Sequence, residues 1–575
     1  MLKKKIWQID PVLDPELLQY FPDHSPLIAQ LLFNRGFNNS EAAQSFLASD
    51  QAPISHDPFL FADMTAACEL IISHIKAHHK IAIAGDYDAD GVTSSAVLTE
   101  TLSAFNAETE VWIPDRTRDG YGLNKRLIDE IKAGGAELII TVDNGIRAID
   151  EVAYARSLGL DIVVTDHHMA GGSPEIYPDC LLINPIIARE HYPFRFLAGV
   201  GVAYKLACAL ISLAKLDDAA KEILRERILD LVAIGTVADC VSLLDENRSL
   251  VQAGLKRLIR RPRLGLAELA KLANVKDQIT EWSIGWQIAP RLNVAGRLAH
   301  ASTAYRLLVT KDRAEAIGLA EGLNTQNIER QTETARIVDE CSALVDSELS
   351  SDKILVLLAP ELRNSTDAPW FEGVMGLAAG RIAERYGRPT LVVCQSAGHI
   401  KGSGRSFGDY SIVGAIEEAS DCLARYGGHR AACGFTVKDA ASLAEFVVRL
   451  RTIGERDLTD ELLSPKLKIE AVLEADELNL ALAEKLNCFA PFGQGNPLPV
   501  FASYNLKIDE VLWMGQTKQH LKLRLGHLSA IAFSALEKWP DLVAGARVNL
   551  AYTAEINNFN GRRSLQLKII DLEIC

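Results

Sequence analysis

The stretch Ile81–Leu98, IAIAGDYDADGVTSSAVL, constrains this chain of 575 residues more than any other part of it. Ile81-Ala82-Ile83-Ala84 is a short unbroken apolar run, the pattern of a strand covered on both faces. Gly85 ends the run. Asp86, Asp88 and Asp90 follow at alternate positions, then Gly91. Val92 to Leu98 then reads as the start of a helix, with Thr93, Ser94 and Ser95 near its N-terminus. Three acids therefore sit on the turn at the C-terminal end of a strand, where open α/β sheets hold their ligands. Like charges this close repel, and a bound cation is the usual remedy. Taken alone, the stretch is also compatible with a solvated acidic turn.

Further apolar runs at Val111–Ile113, Leu138–Val142, Ile162–Thr165 and Leu181–Ile183 alternate with helical stretches such as Arg126–Ala133 and Ala148–Leu158. That alternation predicts a mostly parallel sheet with crossover helices. Leu138–Val142 runs into Asp143-Asn144-Gly145, and Ile162–Thr165 into Asp166-His167-His168. Leu229–Val237, a strand or a helix, runs into Asp239. Parallel strands end on one edge, so the Asp86/Asp88/Asp90 turn, Asp143, His167 and His168 should share it. Each piece has a plainer reading alone: Asp-Asn-Gly is a turn signature and Asp239 a helix cap. Together, carboxylates and imidazole suit Mn²⁺, Fe²⁺ or Zn²⁺ better than Ca²⁺. They are numerous enough for two ions, the arrangement that hydrolyses phosphoryl esters.

Asp-Tyr-Asp-Ala-Asp-Gly (86–91), Val-Asp-Asn-Gly (142–145), Thr-Asp-His-His (165–168) and Gly-Thr-Val-Ala-Asp (235–239) stand in this order. They resemble the four ordered motifs of the DHH phosphoesterase superfamily. The resemblance implies that Asp90, Asp143, His167 and Asp239 hold one metal ion. Asp88 and Asp143, with Asp86 beside them, would hold the other, so that Asp143 bridges. It also implies that His168 donates a hydrogen bond beside the scissile phosphate and that Asp166 orients the histidines.

The rest of the chain divides by pattern. Residues 1–60 read as helical, with segments at Ser25–Leu32 and Asn38–Ala43, and residues 61–260 form the catalytic core. Residues 261–350 are mainly helical, with a loop at Pro290–Leu298 carrying Arg291 and Arg297 and a connecting helix within Thr310–Glu348. Residues 351–455 predict a second α/β domain, with strands at Ile354–Leu358 and Thr390–Val393 and a helix at Gly376–Tyr386. There Lys401–Ser406 is a Gly-rich turn in which Ser403 and Arg405 would clamp a phosphate. Arg425–Gly434 contains a Gly-Gly-His that resembles the DHH-associated (DHHA1-type) substrate domain, which implies that His429 faces the substrate phosphate. Cys433 departs from the small residue usual at its position. Residues 465–575 are short strands with one helix, Leu478–Leu486, and predict a small β-barrel. With Phe489–Pro497 this part resembles the OB-type domain of the RecJ exonucleases. Such barrels bind single strands by stacking bases and tracking phosphates. Trp513, His520, Lys522, Arg524, Phe559, Arg562 and Arg563 are the candidates here. Two nucleotide-binding readings fail: Gly199-Val200-Gly201 lacks the third glycine of a dinucleotide fingerprint, and Gly402–Gly404 lacks P-loop spacing.

A net charge of −15 argues against a large basic coat for nucleic acid while leaving room for a local basic channel. The ten cysteines form no Cys-x-x-Cys pair and read as reduced packing residues. Neither a membrane span nor a secretory leader is legible, so a cytoplasmic location is expected. The sequence thus predicts an α/β protein: a DHH core on a parallel sheet, a DHHA1-type α/β substrate domain and a C-terminal OB-type barrel, in RecJ order. The resemblance implies a single-strand-specific DNA exonuclease that works 5′ to 3′ in repair and recombination and releases mononucleotides. It would use two Mn²⁺ or Mg²⁺ ions. Single-stranded DNA is its expected substrate, a helicase and a single-strand-binding protein are expected partners, and the chain is expected to be a monomer. Arg297, Arg116 and Arg118 would join Ser403 and Arg405 in gripping the DNA, in a channel between core and substrate domain too narrow for duplex. Two alternatives are a phosphodiesterase of short oligonucleotides, cyclic dinucleotides or pyrophosphate, and a catalytically silent replication scaffold. The C-terminal barrel argues against the first, and the full ligand set from Asp86 to Asp239 against the second.

Overall fold

The apolar runs become five strands of one parallel sheet, ordered Thr109–Trp112, Lys80–Gly85, Ala136–Val142, Asp161–Thr165 and Leu181–Ile183. Both faces are covered, and alternate residues feed two cores. Ile81, Ile83, Leu138, Ile140 and Val163 pack with the helices Ala89–Ala104, Gly199–Leu213 and Asp218–Ala238. Ala82, Ala84, Ile139 and Val164 pack with Lys125–Ala133 and Ile149–Ser157. This period-two split is why runs of Ile, Val and Ala, rather than alternating polar residues, mark these strands. Register aligns their ends: Gly85 pairs with Val142, Val142 with Thr165, and Thr165 with Ile183. Asp86, Asp143 and Asp166 each come next in their chains, so all three leave the sheet at one edge.

The computed structural model describes residues 4–47, 55–116, 118–172, 175–261, 263–275, 278–298, 300–363, 365–559 and 561–575. The Phe559 side chain, one of the candidate DNA contacts, lies outside what is described. The chain forms two compact units. One contains residues 44–328 with 488–498 and carries the parallel sheet. The other contains residues 1–43, 329–487 and 499–575.

A buried ion pair ties the first unit together. Lys205 and Glu246, both essentially inaccessible, pair directly, while Tyr192 Oη donates to Glu246 Oε2 at 2.7 Å and Lys205 Nζ to the His56 carbonyl at 2.7 Å. Removing one member leaves a charge stranded in the core. Lys205→Met is expected to lower stability by about 3–5 kcal/mol, and Lys205→Met with Glu246→Leu to recover most of it. Urea denaturation of the three proteins checks this.

The second unit carries a five-stranded mixed sheet and a seven-stranded mixed sheet. The first runs Leu423–His429, Ala432–Val437, His399–Arg405, Thr390–Ser396, Leu355–Leu358 and is flanked by the helices Met375–Tyr386 and Ala440–Asp457. The second contains the OB-type strands between Ala471 and Ile574. Among the described residues no ladder joins its outermost strands, Ala471–Val472 and Glu510–Met514, which suits the partly open form of an OB barrel.

Several expectations change. The N-terminal region is not purely helical: Ile6–Ile9 is a strand paired in parallel with Lys466–Ile469, and Arg35 reinforces the junction through a buried pair with Glu470 at 2.6 Å. The helix expected from Val92 starts at Ala89, because Asp88 caps it and accepts from Asp90 N and Gly91 N at 3.0 and 3.1 Å. Pro290–Leu298 is not a loop but helical: Ala289–Asn293 continues the run of Glu281–Ser283 and the π-type turn Ile284–Ile288, and Ala295–Leu298 follows. Lys401–Arg405 is strand rather than turn. Gly402 and Gly404 are there because a Cβ would lie 2.1 Å from the Phe435 ring and 2.5 Å from Cys433 Sγ. Finally, Phe489–Pro497 belongs to the first unit: Leu243 N donates to Gln494 O at 2.8 Å, and Arg248 donates to the carbonyls of Phe489 and Cys488.

Candidate two-metal centre

The acidic turn is built by close backbone approaches. A Cβ on Gly91 would lie 2.5 Å from Asp86 O, and one on Gly85 would lie 2.2 Å from Ser95 Oγ, so the turn closes only with glycine at both places. Asn293 Oδ1 accepts from Ala89 N at 2.6 Å, and Gly296 comes up against the Tyr87 carbonyl. The segment expected as a loop therefore buttresses the turn. Asp143 has φ +61°, a left-handed conformation unfavourable for a residue with a side chain. Its N–H donates to Thr165 O at 3.1 Å, and Asn144 Nδ2 bonds Ala84 O and Val142 O, which holds the strained residue between neighbouring strand ends.

Three groups of potential ligands result, each with its ligand atoms within 4.8 Å of one another: Asp90, His167 and Asp239; Asp86, Asp88 and Asp143; and Asp143, His167 and His168. Asp143 and His167 link the first two, since Asp143 Oδ1 lies 3.1 Å from His167 Nε2. Asp239 Oδ2 is 3.6 Å and Asp90 Oδ2 4.0 Å from the same nitrogen. Despite this proximity, Asp143 Oδ1, His167 Nε2 and Asp86 Oδ1 are buried and make no hydrogen bond. Buried polar atoms normally find a partner, and atoms that converge without bonding one another have the geometry of ligands around a shared cation. The residues present therefore fit two divalent ions of the Mn²⁺ or Mg²⁺ kind, with Asp143 placed between the two groups.

Electrostatics agree. Burial first, and the neighbouring carboxylates second, push Asp86 and Asp143 well above the ordinary carboxylate range, Asp90 up to about 7 and Asp239 up to about 9. His167 is held down to about 4 by burial and by the charge of His168, so it offers a neutral lone pair. His168 goes the other way. Burial lowers it, but the Asp166 carboxylate, bonded to its Nδ1 at 2.8 Å, outweighs that and raises it to about 9. An imidazolium is a poor ligand and a good donor to a phosphate oxygen. Asp166 is fully occupied, accepting from His167 N, His168 N, Ile146 N and the His168 ring. Its bonds orient the histidines and leave it no part as a ligand.

A pH prediction follows. Without divalent ions, the folded protein keeps protons on Asp90 and Asp239 that the unfolded chain releases above 3.8. Stability should then fall as pH rises from about 4 through 7 to 9, and bound Mg²⁺ should flatten that fall. Melting curves across this range with EDTA and with Mg²⁺ check it; parallel curves would count against a cation site.

The other predicted residues divide. Arg116 lies over the Tyr87 ring at 5.2 Å and moderates the charge of Asp86, and Arg297 acts on the Tyr87 phenol, so both stand at the centre. Arg118 is largely exposed and turned to Asp119, and Arg291 is turned to Asn324 and the Gln287 carbonyl. In the second unit, Arg405 Nη1 donates to Ser403 Oγ at 3.2 Å. Their side chains face Gly376 at the start of the helix Met375–Tyr386, where a Cβ would come within 2.8 Å of Arg405. His429 pairs with Ala432 across the hairpin, and Ala432 pairs with Arg405 on the next strand. On the OB strands Lys522 and Arg524 alternate on one exposed face, with Arg524 paired to Glu510 at 3.2 Å. Trp513 is half-buried, His520 meets Phe533 edge-to-face, Arg562 is exposed, and Arg563 pairs with Glu484.

Four residues to which the sequence assigned no role at the centre stand beside it. Tyr121 Oη donates to Asp143 O at 2.9 Å and lies 3.1 Å from His168 Nδ1. Gly199 N and Val200 N donate to the two Asp90 oxygens at 2.7 and 2.9 Å. A Cβ on Gly199 would lie 2.5 Å from Asp143 Oδ1, and one on Gly235 would lie 2.7 Å from Asp90 Oδ1. Only the Gly-rich start of the helix Gly199–Leu213 hinted at a close approach.

Comparisons with known proteins converge on this arrangement. The chain matches the DHH family, N-terminal domain, over residues 80–236, the DHHA1 domain over 352–453 and the RecJ OB domain over 469–571. It is 37% identical over 557 residues to the single-stranded-DNA-specific exonuclease RecJ of Bacillus subtilis (strain 168), covering 96% of this chain and 68% of that one. To the Escherichia coli (strain K12) protein of the same name it is 33% identical, over 88% of this chain and 89% of that one. The crystal structure of RecJ in complex with Mn²⁺ from Thermus thermophilus superposes with a TM-score of 0.82 at 29% identity, covering 99% of this chain and 79% of that chain. In sequence, domain order and fold, the chain belongs to the RecJ family of single-stranded-DNA-specific exonucleases.

Proposed function

We propose that this protein hydrolyses single-stranded DNA from the 5′ end and releases mononucleotides. The observation that carries the reading is the set of ligand groups linked through Asp143 and His167, whose buried atoms converge without bonding one another. Two Mn²⁺ or Mg²⁺ ions held there supply activation of water and neutralisation of charge on the phosphorus oxygens. The chain's own groups do the rest. His168, cationic through Asp166, donates to the phosphate undergoing attack, and Tyr121 fixes both His168 and the Asp143 backbone. Arg116 and Arg297 offset the negative field that would otherwise repel DNA from a centre this acidic.

Ser403, Arg405 and His429, with the start of the helix Met375–Tyr386, would hold a phosphate of the strand, the terminal 5′ phosphate foremost. Arg405→Ala is expected to erase the preference for a 5′-phosphorylated over a 5′-hydroxyl end, raising KM about tenfold for the first and little for the second. An unchanged preference would remove Arg405 from this role. We place the activity in DNA repair and recombination in the cytoplasm, on strands opened by a helicase and coated by a single-strand-binding protein.

The deciding experiment follows a long single-stranded DNA labelled at either end. Early release of a labelled mononucleotide from the 5′ end supports the reading. Cleavage of only the shortest oligomers would turn it toward a small-substrate phosphodiesterase, and binding without cleavage toward a scaffold.

A further inference from the structure

A second charged cluster stands at the opposite end of the helices that build the metal centre. Asp90 opens the helix Ala89–Ala104, and Glu100 lies ten residues on, about 15 Å along the axis. Asp239 ends the helix Asp218–Ala238, and Asp230 precedes it by nine residues, about 14 Å. Around Glu100 and Asp230 is a cleft of about 180 Å³ lined by Arg227, Arg257, Arg263 and Lys311, with Leu264 and Leu308 as apolar walls.

The cations outnumber their partners. Arg263 is buried and spent: its Nε donates to Asp230 Oδ2 at 2.8 Å, and its other nitrogens reach Glu100, Asp230 and two carbonyls. Arg227 Nε pairs with Glu100 Oε2 at 3.2 Å, an oxygen that Arg263 Nη2 also reaches at 3.3 Å. These two arginines satisfy the two carboxylates. Arg257 Nε stands 3.8 Å from Asp230 Oδ1, beyond hydrogen-bond range, and is buried without a hydrogen-bond partner. Lys311 makes no ion pair or hydrogen bond among the described residues. The cleft thus holds two surplus positive charges, one bearing an unsatisfied donor, beside apolar walls that strengthen any charge pairing. Surplus cations in a recess are unusual on a chain of net charge −15.

We propose that this cleft binds a phosphate group. A phosphate monoester carries about −1.5 to −2 at pH 7, which matches the surplus, and its oxygens accept from guanidinium and ammonium together. The volume takes one phosphate and leaves the rest of the molecule outside. The group could belong to a free mononucleotide or to a DNA backbone.

The test titrates the full-length, Mg²⁺-loaded protein with inorganic phosphate by calorimetry. Phosphate bound at the metal centre is common to all variants, so the difference between proteins isolates the cleft. Arg257→Gln with Lys311→Gln is expected to remove the phosphate-binding phase or weaken it at least tenfold. Lys311→Gln alone, at an exposed position that cannot unfold the core, should weaken it severalfold. Identical isotherms for the wild type and both variants overturn the proposal. Titrations with thymidine monophosphate and with a long oligothymidylate separate the sources. Loss for the monophosphate alone assigns the site to free phosphate esters, and loss for both assigns it to the backbone. At saturating end-labelled DNA, Lys311→Gln should cleave with the wild-type kcat, so this site and the exonuclease reading can fail separately.

Discussion

Asp143→Ala is expected to lower kcat by on the order of 10³-fold, about 4 kcal/mol at 1.36 kcal/mol per decade, and to abolish binding of the second divalent ion. Asp143 stands where the two ligand groups meet, grouped with Asp86 and Asp88 on one side and with Oδ1 3.1 Å from His167 Nε2 on the other. Its loss removes the bridge and separates what remains into two incomplete sets. Asp143→Asn sharpens the test. Asparagine tolerates the left-handed backbone at φ +61° and keeps the side-chain shape while discarding the charge. In metal-free protein the buried Asp143 carboxyl is held far above its ordinary range by burial and by Asp90 and Asp88, a standing cost that Asn removes. Asp143→Asn should therefore melt higher than the wild type in EDTA and be nearly inactive in Mn²⁺. A variant that loses stability in EDTA, or keeps its activity, would show that Asp143 does not serve as the bridge.

That trade between stability and chemistry explains why so much of the site was legible in the sequence. Residues that cost stability stand out from their surroundings. Asp86, Asp90 and Asp143 directly follow or lie near runs of Ile, Val and Ala that are useful only inside a two-sided core, and the register of the sheet then places them on one edge without further information. The helix after the acidic turn was misjudged by three residues because Asp88 was read only as a ligand, although its side chain also caps. Pro290–Leu298 is expected as a loop, yet Pro290 lies in a helical run that begins at Glu281 and passes through a π-type turn just before it. Gly402 and Gly404 read as a Gly-rich turn, yet each is a glycine because a side chain from the neighbouring strand fills its Cβ position. Pairing between distant segments left no mark at all. Nothing in Ile6–Ile9 announces a partner at Lys466–Ile469, and nothing in Phe489–Pro497 announces Leu243 and Arg248. A local pattern reports a local conformation, and which segment lies opposite is decided by the whole fold.

Gly199→Ala carries this point to the centre itself. In sequence Gly199 is part of an incomplete dinucleotide fingerprint, and that reading fails. In the structure it opens the helix Gly199–Leu213, donates its N–H to Asp90 Oδ2 at 2.7 Å, and leaves empty the volume that Asp143 occupies. A methyl group there would sit 2.5 Å from Asp143 Oδ1 and 2.6 Å from Asp143 Cβ, so the bridging carboxylate must shift. The helix itself should gain, since alanine is the better helix former. Displacing a reacting group by about 1 Å costs about 100-fold. Gly199→Ala is thus expected to fold normally, bind Mn²⁺ more weakly and lose about two decades in kcat. Gly201→Ala, two residues along the same helix, is the control. Its methyl would lie nearest the Leu197 side chain, 3.1 Å from Cδ2 and 3.3 Å from Cβ, where a few tenths of an ångström of adjustment suffice and no ligand is displaced, and activity should stay within about threefold of the wild type. If the two variants lose activity equally, the helix tolerates no substitution and the effect is one of packing. If Gly199→Ala alone fails, with its fold intact, the missing Cβ at position 199 is part of the metal centre.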